Sequence, residues 1–320
     1  MDILITGIAG SLGSFLLDDL LEREHNIVGI DNLFCGRIDN IEHNLSHKRF
    51  KFIKSDLIDF DYSILGQFDC ICHMAALKKI GDMSTWKRTD LLMNNLAIKQ
   101  LLDFAIKNSS KFVFASTSDV YGTSEDLPFS EDGDIRIGPS DVERWDYAAS
   151  KLFDEHMCFS YADDYNLPVS VIRYFGAYSD RANYKFGEHV PLFIKKALDR
   201  EPIIVHGDGL QTRSMCHVSD AIRATISVIE KDSSIGHIIN IGSDEEMSIL
   251  DTAKLIWGLI NEDEPQLEFV PIKKVFGKYR EIKRRVPDLS KAKDLLGYEP
   301  EISFKEGLID VINKIRRINE

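Results

Sequence analysis

Short apolar runs alternate with stretches of helical period through the first half of the chain. Residues 3–5, 27–30, 52–53, 70–73 and 112–115 read as strands; residues 14–21, 91–106 and 147–161 read as helices. Strands that alternate with helices imply a parallel sheet covered on both faces. Residues 169–174 continue the pattern with one more strand. Beyond about residue 176 the rhythm changes. Residues 180–188 are polar and loop-like, 193–198 helical, and 202–206 a short strand. Residues 238–241 read as a strand returning to the main sheet, 251–259 as a helix, 267–270 as extended, and 304–315 as the last helix. The charged tail 314–320 is expected to fray. The pattern therefore predicts an α/β fold. A doubly wound parallel sheet occupies residues 1–176, with a later return near 216–245, and a smaller, discontinuous lobe occupies most of 177–320.

The 320 residues suit one large α/β unit with an appended lobe, and 44% hydrophobic content suits a full core. The net charge of −13 argues against general binding to nucleic acid or anionic membrane. No apolar run approaches the ~20 residues of a membrane helix. Cys35, Cys70, Cys72, Cys158 and Cys216 are odd in number and show no CxxC or zinc spacing, so no metal is expected. They fit a reduced, cytoplasmic protein, and the opening on a strand (Asp2 to Thr6) leaves no room for a signal peptide.

Gly7, Gly10 and Gly13 follow the first strand and open a helix with Ser11 and Leu12 between them. Glycines there permit a tight turn and let a pyrophosphate rest on the helix N-terminus. Asp31 ends the next strand, followed by Asn32. A carboxylate at that place accepts hydrogen bonds from a ribose diol and repels a 2′-phosphate, which favours NAD over NADP. Arg37 is the nearby residue suited to the opposite preference. Asp56 and Leu57 follow the third strand, where an aspartate can meet adenine. Ala75 and Ala76 follow the fourth, small enough to pass close to a cofactor. His73 reads as a core histidine, and Asn95 as a brace for the active-site strand.

Tyr147 and Lys151 stand four positions apart in Arg144-Trp145-Asp146-Tyr147-Ala148-Ala149-Ser150-Lys151, on one face of a helix. An ammonium beside a phenol favours the phenolate, and such a tyrosine can remove a proton from a sugar hydroxyl.

Together these segments resemble the extended short-chain dehydrogenase/reductases of the nucleotide-sugar epimerase/dehydratase family. The resemblance also runs through Ser116-Thr117-Ser118-Asp119-Val120-Tyr121-Gly122, Arg173-Tyr174-Phe175, Gly207 to Arg213, Asn240-Ile241-Gly242 and Pro287 to Tyr298. It implies a Rossmann-type fold, a C-terminal lobe that binds a nucleotide sugar, and a homodimer. It makes Tyr147 the general base at the sugar 4-hydroxyl, Lys151 the ligand of the nicotinamide ribose that lowers the Tyr147 pKa, and Thr117 the partner of the reacting oxygen. Arg213 matches an arginine that meets the nucleotide diphosphate, with Arg284 or Arg285 as a second contact.

All subfamilies oxidise C4 of the sugar and then diverge. The 4,6-dehydratases typically carry Asp-Glu where this chain has Ser118-Asp119, which disfavours that dehydration. UDP-glucuronate decarboxylases usually carry Ser-Glu there, and Asp119 can imitate the glutamate with an arginine helping the carboxylate. The 4-epimerases need only the tyrosine, lysine and threonine. Residues 75–82 resemble a UDP-glucose 4-epimerase segment, which makes Lys78 a candidate contact and epimerisation the leading reading. Gly176 stands where the family usually has an asparagine that contacts the substrate diphosphate. Ser179-Asp180, Ser214-Met215 and His217 also depart from the pattern. An unusual substrate is therefore implied; one alternative is simple 4-oxidation of a nucleotide-linked hexose or heptose, with GDP among the candidate nucleotides. A non-catalytic NAD sensor would not need both Tyr147 and Lys151.

Overall fold

The computed structural model describes residues 1–77, 91–184 and 188–319. In chain order these run β1 (Asp2–Thr6), α1 (Ser11–Glu22), β2 (Asn26–Asp31), β3 (Phe50–Lys54), β4 (Cys70–His73), α2 (Leu92–Asn108), β5 (Lys111–Thr117), α3 (Asp146–Tyr165) and β6 (Val169–Tyr174). There follow β7 (Ala177–Tyr178), α4 (His189–Leu198), β8 (Ile203–His206), β9 (Thr212–Ser214), β10 (Cys216–His217), α5 (Val218–Glu230) and β11 (Ile238–Ile241). The rest is β12 (Glu246–Ser248), α6 (Ile249–Ile260), β13 (Leu267–Val270), α7 (Ile272–Phe276), β14 (Arg284–Arg285), α8 (Ser290–Leu296) and α9 (Phe304–Asn319).

The main sheet has seven strands in the order β11-β6-β5-β4-β1-β2-β3, and every pairing in it is parallel. Its alternation serves two faces. Ile3, Ile5, Val113, Ala115 and Ile172 point into a core with Leu16 and Leu20 of α1 and Ala221 and Ile222 of α5. Leu4, Phe112, Phe114, Val169 and Val171 point the other way, against Ile98 and Leu102 of α2 and Cys158 of α3. The chain turns in opposite directions from β1 to β2 and to β4, so a crevice opens beyond the carboxyl ends of β1 and β4. Ligands of open α/β sheets bind at such a switch point.

As expected, residues 238–241 return to the sheet, beside β6. The second core lies beyond the sheet, where Phe193 and Ile194 of α4, Ile256 and Trp257 of α6, and Leu308 of α9 meet over β8. Helix α5 escaped the sequence reading. The last helix runs on to Asn319, through most of the tail expected to fray.

Candidate active site

Gly7 adopts φ +72°, and a Cβ there would lie 2.7 Å from the backbone of Ala75; a Cβ on Gly13 would strike the Gly7 carbonyl. These glycines let the start of α1, capped by Gly10 and carrying Ser11 and Leu12, press against the end of β4. Asp31 ends β2, buried, its Oδ2 accepting the Ala9 N–H at 3.0 Å and its Oδ1 the Leu33 N–H at 2.8 Å. Burial raises its carboxyl above the usual range, against the pull of the two N–H groups. A cleft of about 750 Å³, counting the part open to solvent, is lined by Gly7, Asn32, Asp56, Leu57, Ala75 and Ala76. The Asn32 amide donates to Asp56 at 2.9 Å. Bare backbone at a helix N-terminus, a fixed carboxylate at a strand end and small residues opposite fit a dinucleotide with a free ribose diol.

The two adjacent asparagines of α2 divide their work. Asn94 lines the cleft and clasps the backbone of Leu77 through its N–H (2.8 Å) and carbonyl (3.1 Å). Asn95 instead faces α3, donating to the Ser150 carbonyl (3.2 Å) and to Asp154 (2.5 Å). His73 sits in the core, its Nδ1 2.7 Å from Thr6 Oγ1, and burial holds it neutral.

Helix α3 begins after a turn of 3-10 helix and ends where Asn166 takes a left-handed φ of +54° ahead of Pro168. Its first two turns carry Tyr147 and Lys151 toward the end of β5. The Lys151 ammonium is 1% exposed, donates to the Ala115 carbonyl at 2.7 Å and stands 4.4 Å from the centre of the Phe114 ring. Burial pulls its pKa down to about 8. The resemblance implies a phenol lowered by its lysine; in the folded chain Tyr147 is pushed up. Burial acts first, then the carboxylates of Asp119, Asp154 and Glu188, with Arg144 opposing. Thr117 ends β5 and accepts the Asp119 N–H at 3.2 Å, beside buried Ser118.

Asp119 is the hub of the site's charges. Arg285 reaches its Oδ1 at 2.6 Å and Arg144 at 3.5 Å. The Arg285 Nε is buried without a hydrogen-bond partner. Arg213 donates to the carbonyls of Thr212 (2.7 Å) and Ile282 (2.9 Å) and to Glu281 (2.6 Å). Its pKa falls to about 10, through burial first and Arg285 second. Two guanidinium groups that repel each other make a place where an anion is favoured. Arg284, one residue from Arg285 on β14, is exposed and held by Glu246 at 2.7 Å, apart from this group. Gly176 adopts φ +52°, and a Cβ there would lie 2.5 Å from the Ser214 carbonyl, so no asparagine fits that backbone unshifted. Lys78 lies outside the described residues.

Sequence reasoning missed Arg144, Asp154, Asn94 and Tyr279, whose ring lies 5.4 Å from the Arg144 guanidinium. Arg144 did leave a signal. A cation just before a helix N-terminus opposes the dipole and needs a carboxylate partner. No group of three or more metal-ligating side chains occurs among the described residues. No helix among them is long and apolar enough to cross a membrane.

The parallel sheet, the glycine turn and the tyrosine–lysine helix define an NAD-dependent enzyme of the extended short-chain dehydrogenase/reductase class that acts on nucleotide sugars. The chain belongs to the family described as GDP-mannose 4,6-dehydratase, whose family model matches residues 4–311. It is 36% identical to UDP-N-acetyl-alpha-D-glucosaminuronate decarboxylase of Bacillus cytotoxicus, over 98% of both chains. It is 34% identical to an uncharacterised UDP-glucose epimerase of Bacillus subtilis, over 98% of this chain and 97% of the relative. Among solved structures it resembles UDP-glucuronic acid 4-epimerase of Bacillus cereus, in complex with UDP-glucuronic acid and NAD. The TM-score is 0.88 at 31% identity, over 99% of this chain and all of the other.

Proposed function

We propose that this enzyme acts on a nucleotide-linked hexuronate, oxidising C4 and then releasing the C6 carboxylate as CO2. The observation that carries this reading is the cluster of Arg285 and Arg144 on Asp119, within electrostatic reach of Tyr147. Two guanidinium groups outweigh one carboxylate, so the cluster can receive a second carboxylate from the substrate. Gly7, Gly13, Asp31, Asn32, Asp56, Ala75 and Lys151 would hold NAD, which when bound supplies the uptake and return of the C4 hydride. Tyr147 takes the proton of the 4-hydroxyl, and Thr117 hydrogen-bonds the same oxygen. A 4-keto uronate is a β-keto acid. Its C5–C6 bond breaks with the electron pair passing into the C4 carbonyl, and CO2 leaves; the enolate takes a proton at C5 from water, and Tyr147 returns its proton to the C4 oxygen as the ketone is reduced back. Asp119, one carboxylate beside another, disfavours the charge of the substrate carboxylate, which passes to the C4 oxygen as neutral CO2 leaves. Arg213 offers a place for the diphosphate.

The relatives support uronates as the substrate class, since the proteins named above include a uronate decarboxylase and a uronate 4-epimerase. Epimerisation at C4 is the second reading, favoured by that epimerase's likeness over the whole chain. The test incubates NAD-loaded protein with UDP-glucuronate, UDP-N-acetylglucosaminuronate and their neutral hexose counterparts, and follows product mass. Loss of CO2 from a uronate is expected. Unchanged mass with a new isomer assigns the epimerase instead, and turnover of neutral hexoses alone removes the uronate reading.

A further inference from the structure

Helix α3 carries a third ionisable residue on the face that presents Tyr147 and Lys151. Asp154 follows Lys151 by three positions and Tyr147 by seven, so all three line one stripe. It is 1% exposed. Its Oδ1 accepts the Asn95 amide at 2.5 Å, while its Oδ2 is buried without a hydrogen-bond partner. A carboxylate held this way is expensive to bury. A neutral asparagine or serine would tie α2 to α3 equally well, so the tie alone does not explain an acid here.

The surroundings of Lys151 supply the explanation. Its ammonium meets a neutral carbonyl, Ala115, and a ring face, Phe114. Glu155 favours it less than Asp154 does, because both its carboxylate oxygens are taken by Arg173 (3.0 and 2.7 Å) and one also by Ser116. Burial keeps the Cys158 thiol protonated and His73 neutral. Asp154 is left as the charge that most favours the ammonium.

We propose that Asp154 is a positioning residue that sets the charge balance of the Tyr147–Lys151 pair: its carboxylate holds Lys151 as the ammonium and holds the Tyr147 phenol back from ionising. This rests on Tyr147 being the base of the proposed reaction. The carboxylate itself is pushed up to about 6, by burial first, with Lys151 and Asn95 opposing and Glu155 adding. The other charges facing the pair are Asp119, Glu188 and Arg144 around Tyr147, and Arg173 behind Glu155. The sign follows. Removing the Asp154 charge lowers both pKa values, so at pH below the Lys151 pKa, where the ammonium persists, a rate that requires the phenolate begins to rise at lower pH.

Asp154→Asn keeps an acceptor for Asn95 and removes the charge; Asp154→Ser does the same with a smaller side chain, should the amide fold poorly. In NAD-loaded protein the acidic limb of kcat/KM should move down by about one pH unit, the scale of one nearby like charge. Tyrosinate absorbance, with the Tyr147→Phe protein subtracted, should move the same way, and this readout needs no substrate. A limb and a tyrosinate titration both unmoved, with only stability lowered, make Asp154 a structural tie and overturn the proposal. Full turnover in Tyr147→Phe would remove the tyrosine from the reaction instead. The titration would then still report whether Asp154 controls the phenol.

Discussion

Gly176 marks where this chain leaves its family's pattern at the scale of a single residue. Its left-handed φ of +52° is one that asparagine tolerates better than most side chains, but its missing Cβ is filled by the Ser214 carbonyl and the Met215 sulfur. Restoring the family residue should therefore harm the protein. Gly176→Asn is expected to lose about 1–3 kcal/mol of stability, the range for a strained backbone residue. A denaturant midpoint checks it; an unchanged midpoint with tighter substrate binding would mean the backbone gives way freely. Residue identity was legible in the sequence where chemistry needs one residue type at one place, as with Asp31, Tyr147 and Lys151. It was not legible for Arg284 against Arg285. Neighbours on a strand face opposite ways, and only the register with β9 decides which of them meets Asp119.

Elements were legible where the hydrophobic period was clean, and the failures have physical causes. Helix α5 is amphipathic, yet its apolar face is built from Val218, Ile222, Ile226, Val228 and Ile229, β-branched residues whose stiffness suits strands equally well. Strands β7, β9, β10, β12 and β14 have two or three residues each, too few for any period to show. Nor does sequence show what locks α3 to the sheet. Arg173 on β6 and Glu155 on α3 pair with their side chains 2% and 3% exposed, and Arg173 also lies 4.7 Å from the Tyr121 ring. Tyr121 passes the link to Asn240 on β11 at 2.7 Å. Glu155→Gln should cost about 3–5 kcal/mol, because it strands a buried guanidinium. The double variant Glu155→Met/Arg173→Met should recover most of that loss. Chemical unfolding of the wild type, Glu155→Gln, Glu155→Met, Arg173→Met and the double variant tests this, and additive losses would show that the pair is not coupled.

At the scale of the whole molecule, residues 179–184 fasten the chain's later part onto the cofactor-binding turn. Ser179 meets Ser11 at 2.7 Å, the Arg181 carbonyl accepts from Asn40 at 3.1 Å, and Asn183 donates to the Cys35 carbonyl at 3.1 Å. Arg181 completes the strap with an ion pair to Asp18 at 2.6 Å. A ligand bound at the glycine turn should therefore stabilise the entire chain and move one transition, leaving none behind. NAD at a hundred times its Kd adds about 2.7 kcal/mol to a protein that binds it only when folded. For a chain of this size that is a rise of roughly 5 °C in Tm. NADP should give far less. Its 2′-phosphate would meet Asp31, which two backbone N–H groups hold in place and which has no room to turn away. Thermal melts of stripped protein with each dinucleotide decide the point. Equal shifts would mean that Arg37, not Asp31, governs the choice, and a split transition would mean that the strap does not couple the two parts.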